Sequence, residues 1–213
     1  LKWSKHVQSI LSKGSRRVGL LRWMAHDLSA PVIVKLYQYY VRPCLEYASP
    51  LWHSSLTADD ALALEHLQAS MARRILRAPW MTPKTKLLAE LGWPALRWRR
   101  SVAAVVLLHQ LLQTRAGPLS DSLFSFVSTV TSHERRKPLQ LVLARAHSVR
   151  YRRSFFYHAS LLWNTLPDSI QRLKNWQGYL YKLFLGQLHQ KTSTLQHLRS
   201  LLPNSCHLEC RQD

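Results

Sequence analysis

A mainly α fold, with a helical bundle followed by a smaller, mostly helical module that has room for a short strand pair, is what this 213-residue chain predicts. Three observations carry that expectation. Apolar residues recur at three-and-four spacing through most of the first half, which is the period of one helix face and not the alternation of a strand. Residues that start and stop helices stand where those stripes begin and end. Hydrophobic residues make up 46% of the chain, enough to build a core.

The elements follow in order. Trp3, Val7, Ile10, Gly14, Val18, Leu21 and Leu28 form one apolar stripe, a long first helix. Ser29 offers an N-cap for a second helix and Pro31 sits near its first turn, where a missing N–H costs little. That helix is expected to run toward Trp52, with Pro43 forcing a kink or a break. Thr57 caps a third, whose stripe is Leu64, Leu67, Met71 and Ile75 and which Pro79 and Pro83 end. A short helix through Leu87, Leu88 and Leu91 stops at Gly92. Pro94 opens a fifth, with Leu96, Ala103, Leu107 and Leu111 on its buried face.

Gly117-Pro118 then breaks the pattern, and the Ser/Thr-rich stretch that follows reads as a linker. Leu139 to Leu143 suits a short strand or the start of a helix. Ser154 to Trp163 is helical by the spacing of Phe155, Ala159, Leu162 and Trp163, with Pro167 ending it. A last amphipathic stretch includes Tyr179, Leu183 and Leu188. The division expected is 1–116 for the bundle, 117–138 for the linker and 139–213 for the C-terminal module.

Charge narrows the function. Thirty Lys and Arg against eleven Asp and Glu give +19, and between Leu91 and Pro167 the only acids are Asp121 and Glu134. Charge of one sign and this size repels itself and suits a polyanionic partner, nucleic acid first. The longest apolar stretch, Val102 to Leu112, is too short to span a bilayer, and Lys2, Lys5 and Lys13 break up any secretory signal. Cys44, Cys206 and Cys210 are too few for a disulfide framework, so a reducing compartment is expected. The chain opens directly into a helical pattern at Leu1 and reads as a fragment of something longer.

The basic clusters are the candidate binding residues. Lys13, Arg16 and Arg17 lie on the first helix; Arg73 and Arg77 are one turn apart on the third. Solvated basic faces are common, so each cluster also has a plain surface reading. Arg97, Arg99 and Arg100 fall in the first turns of a helix, where positive charge opposes the macrodipole. That placement asks for an anion, either a ligand or an internal carboxylate such as Glu90. Arg150, Arg152 and Arg153 precede the Ser154 N-cap, beside Tyr151, Phe155 and Phe156. Arginine next to aromatics suits phosphate contact with base stacking, although core packing of both phenylalanines is the favoured reading. Arg42 and Glu46 are four apart and suit a helical ion pair.

Two constellations imitate metal chemistry. Asp59 and Asp60 look like paired metal-binding carboxylates, but they follow Thr57 and open a helix, so capping and dipole compensation account for them. His189, His197, Cys206, His207 and Cys210 lack the close cysteine pair ahead of the histidine that a zinc knuckle uses. No catalytic residue, metal ligand or cofactor is therefore expected in this chain.

One ordered series of motifs is more specific. Leu36-Tyr37 through Val41-Arg42-Pro43, Leu45-Glu46-Tyr47 and Trp52 has the form L-Y-x-x-x-V-R-P-x-L-E-Y-x-x-x-x-W. Leu64-Glu65-His66-Leu67-Gln68 follows, with Arg73 and Arg74 behind it, then Leu88-Ala89-Glu90-Leu91-Gly92-Trp93-Pro94-Ala95-Leu96 with Arg99 and Arg100. Ser154-Phe155-Phe156, Leu162-Trp163-Asn164-Thr165-Leu166-Pro167 and Ile170 close the series, and Leu1-Lys2-Trp3-Ser4-Lys5-His6-Val7 opens it. The series resembles the thumb and post-thumb region of reverse transcriptases from non-LTR (LINE-type, jockey-like) retrotransposons. The resemblance implies a thumb-like bundle that holds the primer–template duplex, RNA–DNA hybrid or element RNA. It implies a parent RNA-directed DNA polymerase using magnesium, whose palm aspartates lie upstream of this chain, so that the chain alone is inactive. It further implies the palm as a partner, and an intracellular ribonucleoprotein in nucleus and cytoplasm. The rival reading is a stand-alone basic helical adaptor or RNA-binding protein, including a domesticated or decayed remnant of such an element.

Overall fold

The computed structural model describes residues 3–114, 140–143, 145–166 and 171–172. The chain is mainly α: its ordered elements are helices, with no strand element among the described residues. The expected linker 117–138, the stretch around Tyr179 to Leu188 and the His/Cys tail from His189 on lie outside the described residues. Packing divides the chain into two units, Leu1–Arg100 and Ser101–Asp213. The division falls inside a helix, earlier than the glycine–proline break at 117–118.

The first helix, α1 (Ser4–Met24), buries Val7, Ile10, Gly14, Val18 and Leu21, the stripe its spacing predicts. Gly14 is needed there for space. A Cβ on it would lie 2.6 Å from Leu45 Cδ2 and 2.8 Å from Leu67 Cδ2. The missing side chain lets α1 approach the helices that carry those leucines.

The second helical run behaves differently from the expectation at Pro43. Helix α2 (Ala30–Leu36) passes into a π turn over Tyr37–Val41, and α3 (Arg42–Glu46) continues without leaving helical dihedrals. Proline lacks an N–H and its ring crowds the carbonyl four residues back; a π turn ahead of it inserts one residue and relieves both. The break comes later, where Tyr47 turns extended and Ala48 is left-handed at φ 50°. Pro50 then stands in the first turn of a separate short helix, α4 (Ser49–Trp52), followed by a 3-10 turn over His53–Ser55. The π turn keeps Tyr37, Val41 and Leu45 in one fully buried row. Burial of such side chains stabilises by about 1.5–3 kcal/mol each. Ser29 stands at the N-cap of α2 in extended conformation, but its side chain makes no capping hydrogen bond.

Thr57 caps α5 (Ala58–Ile75) by accepting the Asp60 N–H at 3.1 Å, with Asp59 and Asp60 in the first turn. Helix α6 (Lys84–Glu90) ends on Gly92 at φ 63°, whose freedom from a Cβ permits the left-handed closing turn. Helix α7 (Leu96–Thr114) follows. Its buried residues include Ala104, Val105 and Leu108, while Ala103, Leu107 and Leu111 are only partly buried. Leu96 is fully buried as expected, and beyond it the buried face lies about one residue on from the expected one. Val102 to Leu112 is apolar nearly all round, so periodicity alone could not place its inner side.

In the second unit, α8 (Val149–Arg152) lies against α9 (Phe155–Thr165) through the Tyr151 and Tyr157 rings, and α9 packs with part of α7. Ser154 caps α9 as expected, accepting the Tyr157 N–H at 3.4 Å. The Leu139–Leu143 stretch contributes Leu141, whose backbone is held by a side chain: its N–H donates to Asn164 Oδ1 at 2.8 Å and its carbonyl accepts from Asn164 Nδ2 at 2.9 Å. One side-chain amide thus pairs with both backbone groups of Leu141. Trp163 stacks with His109 at 5.9 Å, and its carbonyl accepts from Gln171 Nε2 at 2.7 Å.

Candidate nucleic-acid interface

The sequence motifs of the first unit converge on one junction around the start of α7. Leu96 and Arg97 occupy the first helical positions, whose N–H groups have no partner within the helix. Both donate to the Glu65 carboxylate, at 3.1 and 2.7 Å, although Glu65 sits on α5. Gln68, one turn on, is buried and donates from Nε2 to the Pro94 carbonyl at 3.1 Å. Tyr37 stacks on Trp93 with ring centroids 4.3 Å apart and planes 16° apart. Burial, with the Glu46 charge next, pushes the Tyr37 phenol well above its ordinary pKa. Trp52 is fully buried and donates from Nε1 to the Tyr47 carbonyl at 2.9 Å.

That junction answers why Arg97, Arg99 and Arg100 tolerate the positive end of a helix. The anions are internal. Arg99 holds Glu46 with Nε and Nη2, one bond to each carboxylate oxygen. Both side chains are about four-fifths shielded from solvent. Arg100 is 0% exposed; its Nη2 lies 3.6 Å from Glu65 Oε1, its Nε donates to His53 Nδ1 at 3.4 Å, and its guanidinium lies 5.8 Å from the Trp52 ring centre. Burial lowers its pKa, opposed by Glu65 and Glu46. The structure therefore corrects the reading of Arg100 as a surface contact: a guanidinium without solvent exposure cannot meet a phosphate. Arg99 is likewise engaged in the fold. Of the three, Arg97 is the one exposed. Both Glu46 oxygens accept from Arg99, 53 residues away, a contact that sequence spacing does not suggest.

Arg73 is also turned inward. Half-buried, it donates from Nη2 to the Thr82 carbonyl at 3.1 Å and ties down the loop after α5. Arg77 is exposed and left-handed at φ 48°, closing α5 with Ala78 N–H donating to the Arg73 carbonyl at 3.1 Å. Lys84 donates from Nζ to His66 Nε2 at 2.8 Å, so that ring nitrogen accepts. Burial first, then Lys84 and Arg73, lower the His66 pKa.

The first-helix cations are placed as a surface. Lys13 and Arg16 are exposed on the side of α1 away from its buried stripe, and Arg16 Nη2 donates to Ser12 Oγ at 3.2 Å. Arg17, at the edge, donates to the Tyr40 carbonyl at 2.6 Å with its guanidinium 4.6 Å from the Tyr40 ring centre. No acid interrupts Ser4–Met24. Tyr39 is 79% exposed on the neighbouring π turn, and Trp23 is 75% exposed at the end of α1. Arg16 and Arg17 are thus each held by a hydrogen bond, with the Tyr40 ring beside Arg17, an arrangement that suits contact with a phosphate.

No family model, curated protein or solved structure matches this chain significantly.

In the second unit Arg150, Arg152 and Arg153 are all exposed around α8 and the Ser154 cap. Ser148 Oγ accepts the Tyr151 N–H at 3.2 Å, and Ser154 Oγ donates to the Tyr151 carbonyl at 2.7 Å, which fixes the turn carrying them. Phe155 is buried, as core packing predicts, whereas Phe156 stays 37% exposed. No group of three or more His, Cys, Asp or Glu side chains among the described residues is arranged to hold a metal ion. No helix among them is long and apolar enough to cross a membrane.

Sequence reasoning missed the exposed aromatics. Trp23, Tyr39 and Tyr40 are the ones that fall out of phase with the stripes of their own helices, two residues past Leu21 and between Tyr37 and Val41. That phase shift is the signal that could have found them.

Proposed function

We propose that the chain is the thumb and post-thumb portion of a LINE-type reverse transcriptase, and that it grips primer–template or element RNA through basic helix faces without the catalytic palm. One observation carries the reading. Within the first unit α1 carries Lys13 and Arg16 exposed and Arg17 at its edge, with no acid on that helix, while Glu46 and Glu65 are engaged by Arg99 and Arg100. The ordered motif series supports the family. Six of its members, Tyr37, Glu65, Gln68, Trp93, Pro94 and Leu96, meet at one packed junction. Such a surface tracks phosphates and reads no sequence. Magnesium and the polymerase carboxylates belong to the parent enzyme in this reading, and the palm is its intramolecular partner.

The test is affinity for an RNA–DNA hybrid, a single strand and duplex DNA, each across a salt series. A preference for the hybrid with a steep slope is expected. Removing one phosphate-binding cation should lower the slope in duplex by about 0.9. Replacing Lys13 and Arg16 by Gln should weaken binding and flatten that slope, with the helical circular dichroism unchanged. Absence of binding at moderate salt would overturn the reading in favour of a protein-binding adaptor.

A further inference from the structure

The connection between α5 and α6 carries a feature that the α1 face does not explain. Trp80 and Met81 are each 81% exposed, the most exposed large apolar side chains among the described residues. They stand on a turn that is held: Thr82 N–H donates to the Pro79 carbonyl at 3.1 Å, and Arg73 binds the Thr82 carbonyl from below. The entry to the turn is strained. Arg77 occupies the left-handed closing position of α5, where glycine is the unstrained choice and where α6 does use Gly92. Residues held in that region at some cost cluster at functional sites. From His66 to Ala89 the chain has no acid, and Arg74, Arg77 and Lys86 are exposed on either side of the tip.

We infer that this loop is a stacking wedge for single-stranded nucleic acid: Trp80 takes the face of an unpaired base while Arg74, Arg77 and Lys86 hold the flanking phosphates. The inference rests on the nucleic-acid reading above and deepens it. An apolar pair this exposed, on a turn held by hydrogen bonds, is presented for contact with a partner. Its cationic, acid-free surroundings select a polyanion. Among polyanions, unpaired bases offer the π-faces that a rigidly presented indole fits, at any sequence.

The experiment compares the full chain with Trp80→Ala, Trp80→Phe and Arg77→Gly on a single strand, a blunt fully paired hybrid and phosphatidylserine vesicles. Trp80→Ala should weaken single-strand binding by roughly 5- to 150-fold with the salt slope unchanged, because stacking is not ionic. Trp80→Phe should keep most of the affinity, and hybrid binding should be indifferent to both. Arg77→Gly removes the charge and the strain together, so it should lower the single-strand salt slope by about 0.7 while the fold gains stability. Unchanged single-strand affinity in Trp80→Ala, with steep hybrid binding intact, would overturn the wedge and leave the α1 face standing. Loss of vesicle binding alone would assign the loop to a membrane surface and equally overturn it. Failure of the unaltered chain to bind any nucleic acid would take both readings down.

Discussion

Replacing Glu65 tests the junction most sharply, because one carboxylate there does two kinds of work. It accepts the N–H groups of Leu96 and Arg97 at 3.1 and 2.7 Å, and it stands 3.6 Å from the buried Arg100 guanidinium. Losing an N-terminal cap costs about 0.5–2 kcal/mol. Leaving a buried charge without its partner costs about 3–5 kcal/mol. The two overlap, so Glu65→Ala should destabilise the first unit by about 3–5 kcal/mol. Glu65→Gln keeps an oxygen for the helix start but loses the charge, and should fall between about 1.5 and 3 kcal/mol. The decisive variant is Glu65→Ala with Arg100→Met. Removing both charges should return most of the loss and leave roughly the cap term of about 1 kcal/mol. Urea unfolding followed by circular dichroism reads this as a midpoint shift at constant slope: with a slope of about 2 kcal/mol per molar, the single variant moves by roughly 1.5–2.5 M. A Glu65→Ala midpoint within about 0.5 M of the parent would refute the account. So would a double variant no better than the single one, since the buried charge would then not be what Glu65 offsets.

Four further outcomes follow from packing and burial. A Cβ added to Gly19 on α1 would meet nothing within 4 Å, so Gly19→Ala should stabilise by about 0.5–1 kcal/mol through helix propensity. Gly14→Val should destabilise by about 1–3 kcal/mol against Leu45 and Leu67; thermal unfolding of both separates space from propensity. The Tyr37 hydroxyl is buried with no hydrogen-bond partner among the described residues, so Tyr37→Phe should be neutral or stabilising by up to about 1 kcal/mol. A loss above about 1 kcal/mol in urea would show the hydroxyl to be bonded. Burial lowers the pKa of His158 from 6.5, so the unfolded chain takes a proton there before the folded one. Stability should therefore fall as pH drops below 6.5, and His158→Gln should flatten that dependence in midpoints measured from pH 7 downward.

How much of this was legible beforehand follows the range of the forces. The α1 stripe and the Thr57 and Ser154 caps depend on residues a few positions apart, and local spacing reveals them. Pro43 was legible as a disturbance but not as a π turn, because relief of its clash is shared with the row of Tyr37, Val41 and Leu45. The break at Tyr47–Ala48 depends on how Trp52 is drawn into the core. The inner side of α7 needed a partner surface to choose among equally apolar faces. Most of the site was illegible for one reason: Glu46 and Glu65 reach residues more than thirty positions away, and nothing in sequence spacing distinguishes an arginine that will be enclosed from one that will stay wet.

That distinction decides how any binding experiment on this chain must be built. A set of alanines chosen by charge alone would combine Arg100, enclosed beside Glu65 and His53, and Arg73, which holds the Trp80 turn, with Arg16 and Arg77 on the surface. The first pair would change affinity by loosening the bundle and the loop, with a loss that appears on every ligand together with a lowered unfolding midpoint. The second pair would change the salt slope while the midpoint holds or, for Arg77→Gly, rises. The two classes thus separate on two axes, stability and counterion release, and only arginines that move the second without lowering the first belong to an interface. Because the inward carboxylates engage the inward arginines, deleting an inward ion pair as a unit changes the surface charge little; deleting one partner changes both fold and field.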